Sequence, residues 1–236
     1  MKYRFIRQAL MAASVLGALV LPAKASIDTY VGYADELRPS PFFPNPWNGG
    51  AGVALYAGDT STNIDAGAIM LHNSGGSNVT INAITVQVNP GLSGAIFNLW
   101  GTSLPFVLGA GMSAIFTQTV AYNFDTSDYP LVAANLLDNC SVGALSTTAL
   151  CLNNSPLINL TLDGVSSSLT DTAHVLNTGG FDLAAVNNSN ESLNWRLIGT
   201  TGVENPGGQS VPEPEALSIL GLGLAALGLS RRRRKL

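Results

Sequence analysis

Residues 79–88 read VTINAITVQV, and how they are read decides the fold. Val79 and Ile81 are apolar while Thr80 and Asn82 are polar, the period-two alternation of a strand with one buried face. Ala83 and Ile84 then stand side by side, and the apolar phase resumes at Ile84, Val86 and Val88. In a regular strand such a slip would turn every later side chain to the wrong face. One extra residue, a β-bulge near Ala83, restores a common apolar face along the whole stretch. The segment is therefore predicted to be a bulged, half-buried strand, and a regular ladder through 82–85 would exclude it.

The neighbouring sequence has the same texture. No stretch between residues 26 and 211 sustains helical periodicity, and short β-prone runs alternate with Gly, Pro, Asn and Asp clusters. Strands are expected at 53–56, 67–72, 79–88, 95–100, 106–108, 114–122, 157–162 and 193–198, after a Pro-rich loop, SPFFPNPWNGGAG, at 40–52. The runs HNSGGSNVTINAITVQV and LPFVLGAGMSAIFTQT, within 71–119, resemble the strand, turn and strand grammar of bacterial immunoglobulin-like surface sandwiches. That resemblance implies a mainly β chain, an antiparallel β-sandwich of immunoglobulin-like, Greek-key type, and it implies no particular chemistry.

Both ends of the chain differ from this body. Lys2, Arg4 and Arg7 precede an apolar run at 9–21, and Ala23-Lys24-Ala25 supplies small residues at the −3 and −1 positions of a cleavage site. The run is shorter than the roughly 20 residues a spanning helix needs, so residues 1–25 are expected to be a signal peptide cut between Ala25 and Ser26. The Sec translocon and signal peptidase are the partners this implies. Between Ser26 and Val211 only Arg38 and Arg196 are basic, against 13 acidic residues, a formal charge of −11 with no lysine. Nucleic-acid binding, which draws its affinity from phosphate neutralisation, is not expected of such a body. Cys140 and Cys151, with ten residues between them in an exported chain, are expected to form a disulfide contributing about 2–3 kcal/mol. Two buried thiols, or a metal pair lacking its other ligands, are the alternatives.

Catalytic patterns are missing from the text. There is no H-E-x-x-H, no G-x-S-x-G and no P-loop, and the lysine-free body excludes Schiff-base chemistry. No catalytic residue, metal or cofactor is expected. Asp171, His174, Asp182 and Glu191 bring a histidine among carboxylates, but at no established ligand spacing. Asp125 and Asp128 lack the Gly and terminal Glu of an EF-hand loop. Among the aromatics, Trp100 and Trp195 fall in expected strands and suit core packing, whereas Trp47 in the Pro-rich loop is the candidate for ligand contact.

The last 26 residues carry three signals in order. Val211-Pro212-Glu213-Pro214 holds the backbone extended and offers one carboxylate between two prolines. An apolar run follows at 216–230, expected to form a short transmembrane helix. Its unbroken part, 14 residues, would span about 21 Å as a helix, short of a hydrocarbon core of roughly 30 Å. The basic tail 231–236, with Arg231, Arg232, Arg233, Arg234 and Lys235, would stay cytoplasmic. This order closely resembles the PEP-CTERM sorting tail, also described as similar to an ice-binding protein C-terminal domain. The resemblance implies a substrate of an exosortase in a Gram-negative bacterium. It implies transient residence in the inner membrane and an association with exopolysaccharide, biofilm and the cell surface. Val211 to Pro214 would be the recognised positions. NESLNWRLIGT, 190–201, resembles the closing strand of such passengers, leaving 202–210 as a flexible spacer after a sandwich domain at 26–201. The function expected is that of an exported structural or adhesive component, with a carbohydrate-binding module as the alternative and a secreted hydrolase behind it.

Overall fold

Ile81 pairs with Leu162 and Ala83 with Thr161, so Asn82 has no partner on the facing strand and the predicted bulge sits there. Val79, Ile81, Ile84, Val86 and Val88 are all buried, while Asn82 and Ala83 both face solvent. The two apolar phases thus share one face, as the sequence requires.

The computed structural model describes residues 25–88, 96–124, 154–177 and 190–203. The strands are β1 (Ala25–Asp35), β2 (Val53–Ala57), β3 (Asp65–Asn73), β4 (Val79–Gln87) and β5 (Ile96–Phe97). They continue as β6 (Phe106–Leu108), β7 (Ser113–Phe116), β8 (Leu157–Leu162), β9 (Val165–Thr170) and β10 (Leu193–Val203). One five-stranded sheet runs β10-β1-β3-β7-β2; the other runs β5-β4-β8-β9, with β6 pairing the start of β4. The chain is mainly β with two sheets, and among the described residues no helix is long and apolar enough to cross a membrane.

A single apolar cluster joins the sheets. Ile27, Val31, Ile69, Leu71 and Phe116 of the first meet Ile81, Ile84, Val86, Leu160 and Leu162 of the second. Trp100 is 1% exposed, with its ring edge-on to Phe116 and Phe124 at 5.7 and 5.3 Å. Its indole N–H donates to the Thr117 carbonyl at 2.7 Å, which satisfies the one polar atom this large ring brings into the core.

Several expectations need revision. The antiparallel assignment fails at one edge, where β2 runs parallel to β7. The strand expected at 114–122 ends at Phe116, because the Thr117 hydroxyl turns to the Gly67 carbonyl and Thr119 closes a turn with Tyr122. The strand expected at 95–100 shrinks to Ile96–Phe97, where Trp100 leaves the sheet to enter the core. β10 runs on to Val203, so Gly202 lies in the strand and not in a spacer. Two strands were not foreseen. β1 begins at Ala25, and β9 closes a hairpin with β8 through Asp163-Gly164, both at positive φ (47° and 79°), as a type I′ turn requires. The bulge reinforces that hairpin: the Gly164 N–H donates to Asn82 Oδ1 at 2.9 Å and the Thr80 N–H to Asp163 Oδ1 at 2.8 Å.

Candidate functional site

The Pro-rich loop lies against the first sheet through its tryptophan. Trp47 is half-buried, with Phe43, Tyr56 and Trp195 around it at ring distances of 5.3, 5.7 and 5.9 Å. Its indole N–H donates to Glu36 Oε1 at 3.2 Å, and the other Glu36 oxygen accepts the Ile64 N–H at 2.9 Å. The Trp195 indole N–H donates to the Pro46 carbonyl at 2.9 Å. Gly32 is what lets Trp195 lie on β1, since a Cβ there would stand 2.9 Å from the ring. Burial, helped by the nearby Glu36 and Asp59 charges, pushes the Tyr56 phenol above its usual range, so it stays neutral. The candidate ligand contact is thus also a pin for the loop. Trp47→Ala is expected to cost roughly 2–3 kcal/mol, read as a lower denaturation midpoint.

Beside this cluster an open cleft of about 550 Å³ is lined by Asp35, Glu36, Arg38, Phe43 and Asn63, among others. The Asp35 carboxylate is engaged within the fold, accepting the Leu37 N–H at 2.8 Å and the Glu191 N–H at 3.2 Å. Asn190 and Ser192 complete a clamp there. The Asn190 amide donates to the carbonyls of Asp35 and Arg38, and the Ser192 hydroxyl bridges the Asp35 backbone. This is the NES of the closing-strand resemblance. Sequence reading missed its role because its partners lie about 155 residues away in the chain.

His174 sits in a second polar centre. At φ 56° it turns its ring inward, where Nδ1 lies 2.9 Å from Asn177 Oδ1 and Nε2 lies 3.5 Å from the Ser155 hydroxyl. The Asn177 amide N–H donates to the Asn154 carbonyl, which leaves its oxygen to accept and assigns the proton to Nδ1. The order serine, histidine, amide has the form of a nucleophilic triad, but all three side chains are at most 1% exposed. Asp171 belongs to the same loop and accepts the Ala173 and Leu176 N–H groups at 3.2 and 2.8 Å. Glu191 sits instead at the Asp35 clamp. Among the described residues no group of three or more His, Cys, Asp or Glu side chains could hold a metal ion.

Burial pushes the Asp171 carboxyl up to about 6, against the pull of its backbone donors and of Arg196. Burial likewise lowers the His174 imidazole below its usual 6.5, partly offset by Asn177. The signs are opposite. Between pH 3.8 and about 6 the folded state holds a proton on Asp171 that the unfolded chain has released, so stability falls as pH rises. Below pH 6.5 the unfolded chain protonates histidine before the folded state does, so that contribution is lost as pH falls. Asp171→Asn is expected to remove the first slope, worth roughly 3 kcal/mol across its window, and to leave stability rising from pH 4 to 6.5. Urea midpoints at four pH values would show this, and parallel wild-type and variant curves would contradict it.

Of the remaining expected site residues, only two fall within the described residues. Ser26 and Ala25 open β1, and Ala23 lies outside the described residues. So do Asp125, Asp128, Asp182, Cys140, Cys151, Val211, Pro212, Glu213, Pro214, the apolar run 216–230 and Arg231, Arg232, Arg233, Arg234 and Lys235. Comparison with known proteins bears on this last segment. Residues 210–234 match the family model described as the PEP-CTERM protein-sorting motif, and the match begins seven residues past the end of β10. The chain carries a PEP-CTERM sorting motif. The PEP-CTERM motif implies exosortase as a processing partner, export, and a membrane-associated precursor processed for the cell surface. No curated protein and no solved structure matches the chain.

Proposed function

We propose that the β body is a non-catalytic, structural or adhesive component of the surface or extracellular matrix of a Gram-negative bacterium, associated with exopolysaccharide or biofilm. The observation that carries this reading is the sorting motif, which begins seven residues past the closing strand. The acidic, lysine-free body supports it, because a high net charge opposes self-association in an exported chain. The burial of Ser155, His174 and Asn177 supports a packing role for that group over a hydrolytic one. The two sheets are read as an immunoglobulin-like sandwich, since they enclose one apolar layer. Residues 1–25 are read as the cleaved signal peptide.

The alternative, a carbohydrate-binding module, is favoured by the open cleft beside Phe43 and Trp47. Co-sedimentation of surface-recovered protein with matrix polysaccharide tests the proposal. The protein is expected to pellet with the matrix, and deleting it is expected to thin the matrix. Loss of pelleting in Phe42→Ala, an exposed change beside the cluster, with unchanged stability would select the carbohydrate module. Hydrolytic turnover abolished by His174→Ala would overturn the non-catalytic reading.

A further inference from the structure

Ser155 stands two residues before β8, inside the second polar centre. A single Asn177 amide acts there at two points. Its oxygen takes the Nδ1 proton of His174 at 2.9 Å, which turns the Nε2 lone pair toward the Ser155 hydroxyl at 3.5 Å. Its nitrogen donates at 3.0 Å to the Asn154 carbonyl, which belongs to the peptide bond that ends on Ser155. His174 holds its ring in place at φ 56°, a left-handed conformation that a bulky residue keeps only at a cost. A nucleophile, a base and a carbonyl-polarising donor thus converge on one bond, and that bond is the chain's own. Burial shuts out a substrate from outside, but a peptide bond already in place needs no entry.

We infer that Ser155, His174 and Asn177 cut their own backbone, once per molecule, at the bond between Asn154 and Ser155. Ser155 Oγ attacks the Asn154 carbonyl carbon while His174 Nε2 takes the hydroxyl proton, and the Asn177 N–H donates to the oxygen as it gains charge. Collapse breaks the C–N bond, His174 returns the proton to the leaving nitrogen, and an ester joins Asn154 to the Ser155 side chain. Water admitted by local opening then splits the ester, leaving a carboxylate on Asn154 and a free hydroxyl and amine on Ser155. β1 to β7 precede the cut bond and β8 to β10 follow it. The two pieces stay together, because β4 pairs with β8 and β1 with β10. Cys140 and Cys151 both precede the bond, so their expected disulfide would not tie the pieces covalently. Cutting therefore converts one chain into a two-chain body that keeps its fold.

The test incubates the purified full chain at neutral pH, with and without hydroxylamine, and reads intact mass after denaturation. Folded wild type is expected to yield one piece ending at Asn154 and one beginning at Ser155, which co-elute until denatured. Hydroxylamine should speed their release and leave a hydroxamate on Asn154, the mark of an ester. Ser155→Ala is expected to stay whole, and Ser155→Cys, which restores a nucleophile, to be cut again. His174→Asn keeps a residue that tolerates positive φ, and it is expected to be cut at least about a hundredfold more slowly. Near-ultraviolet circular dichroism reports whether each variant is folded, and if His174→Asn is not, the two Ser155 variants decide. Wild type that stays folded and whole under both conditions would overturn the inference. So would equal cutting of Ser155→Ala, which would assign the break to another nucleophile or to a trace protease.

Discussion

Deleting Thr85 is expected to unfold the body, whereas deleting Asn82, three residues earlier, is expected to leave it folded. Asn82 is the residue without a partner on β8, so its removal leaves VTIAITVQV, a strand of regular alternation whose apolar residues keep their faces. Its cost is the lost acceptor for the Gly164 N–H, an exposed bond that water can replace, worth about 1 kcal/mol or less. Removing Thr85 acts on the regular half of the strand. Val86 and Val88, both fully buried, would turn outward while Gln87 turned into the core. Exposing two valines costs roughly 3–6 kcal/mol and burying the amide a further 1–3 kcal/mol. Small domains have only about 5–15 kcal/mol to lose. Urea denaturation of the purified full chain, followed by tryptophan near-ultraviolet circular dichroism, reads both variants. Equal loss in the two would mean that the bulge is not what keeps the two phases on one face.

Replacing Pro212, Glu213 and Pro214 together by alanine is the second large effect. Proline at both positions disfavours helix, and the glutamate supplies the only charge between them. Alanine removes the charge and frees the backbone for helix. A site built to pair with a missing polar group rejects its substrate strongly, so the mature surface form is expected to fall at least about tenfold. The precursor should accumulate in the membrane fraction with its arginine tail intact. The body should remain folded there, since the described strands end at Val203. A triple variant that matures at the wild-type level would mean that recognition lies elsewhere in 210–234.

What the sequence discloses follows from where each signal resides. β4 was legible because its apolar residues mark both phases and the slip between them. The exact bounds of β6 and β8 were legible because Gly, Pro or Asp flanks them. β1 was not, because it begins at Ala25, inside the segment expected to be a cleavage site, and its inward positions include Thr29. β9, VSSSLT, carries only Val165 and Leu169 as apolar residues, yet the Asp163-Gly164 turn before it was a usable hairpin signal. The parallel pairing of β2 with β7 leaves no local trace, since VALYA and SAIF read alike in either direction. The Asp35 clamp and the Ser155–His174–Asn177 group depend on contacts between distant segments or on one left-handed residue, and no spacing rule contains them. Trp47 was legible as important, but the structure adds that it pins its own loop. The sorting motif was legible because it is a local pattern, and the family match at 210–234 overlaps the tail read at 211–236.

The central claim is that this tail is a signal that is read and then removed. Mass spectrometry of the C-terminus of protein recovered from the cell surface tests it most directly. A new terminus at or near Pro212–Pro214, with Arg231 to Lys235 gone, is the predicted result. Mature surface protein that still ends in the intact arginine cluster would contradict it.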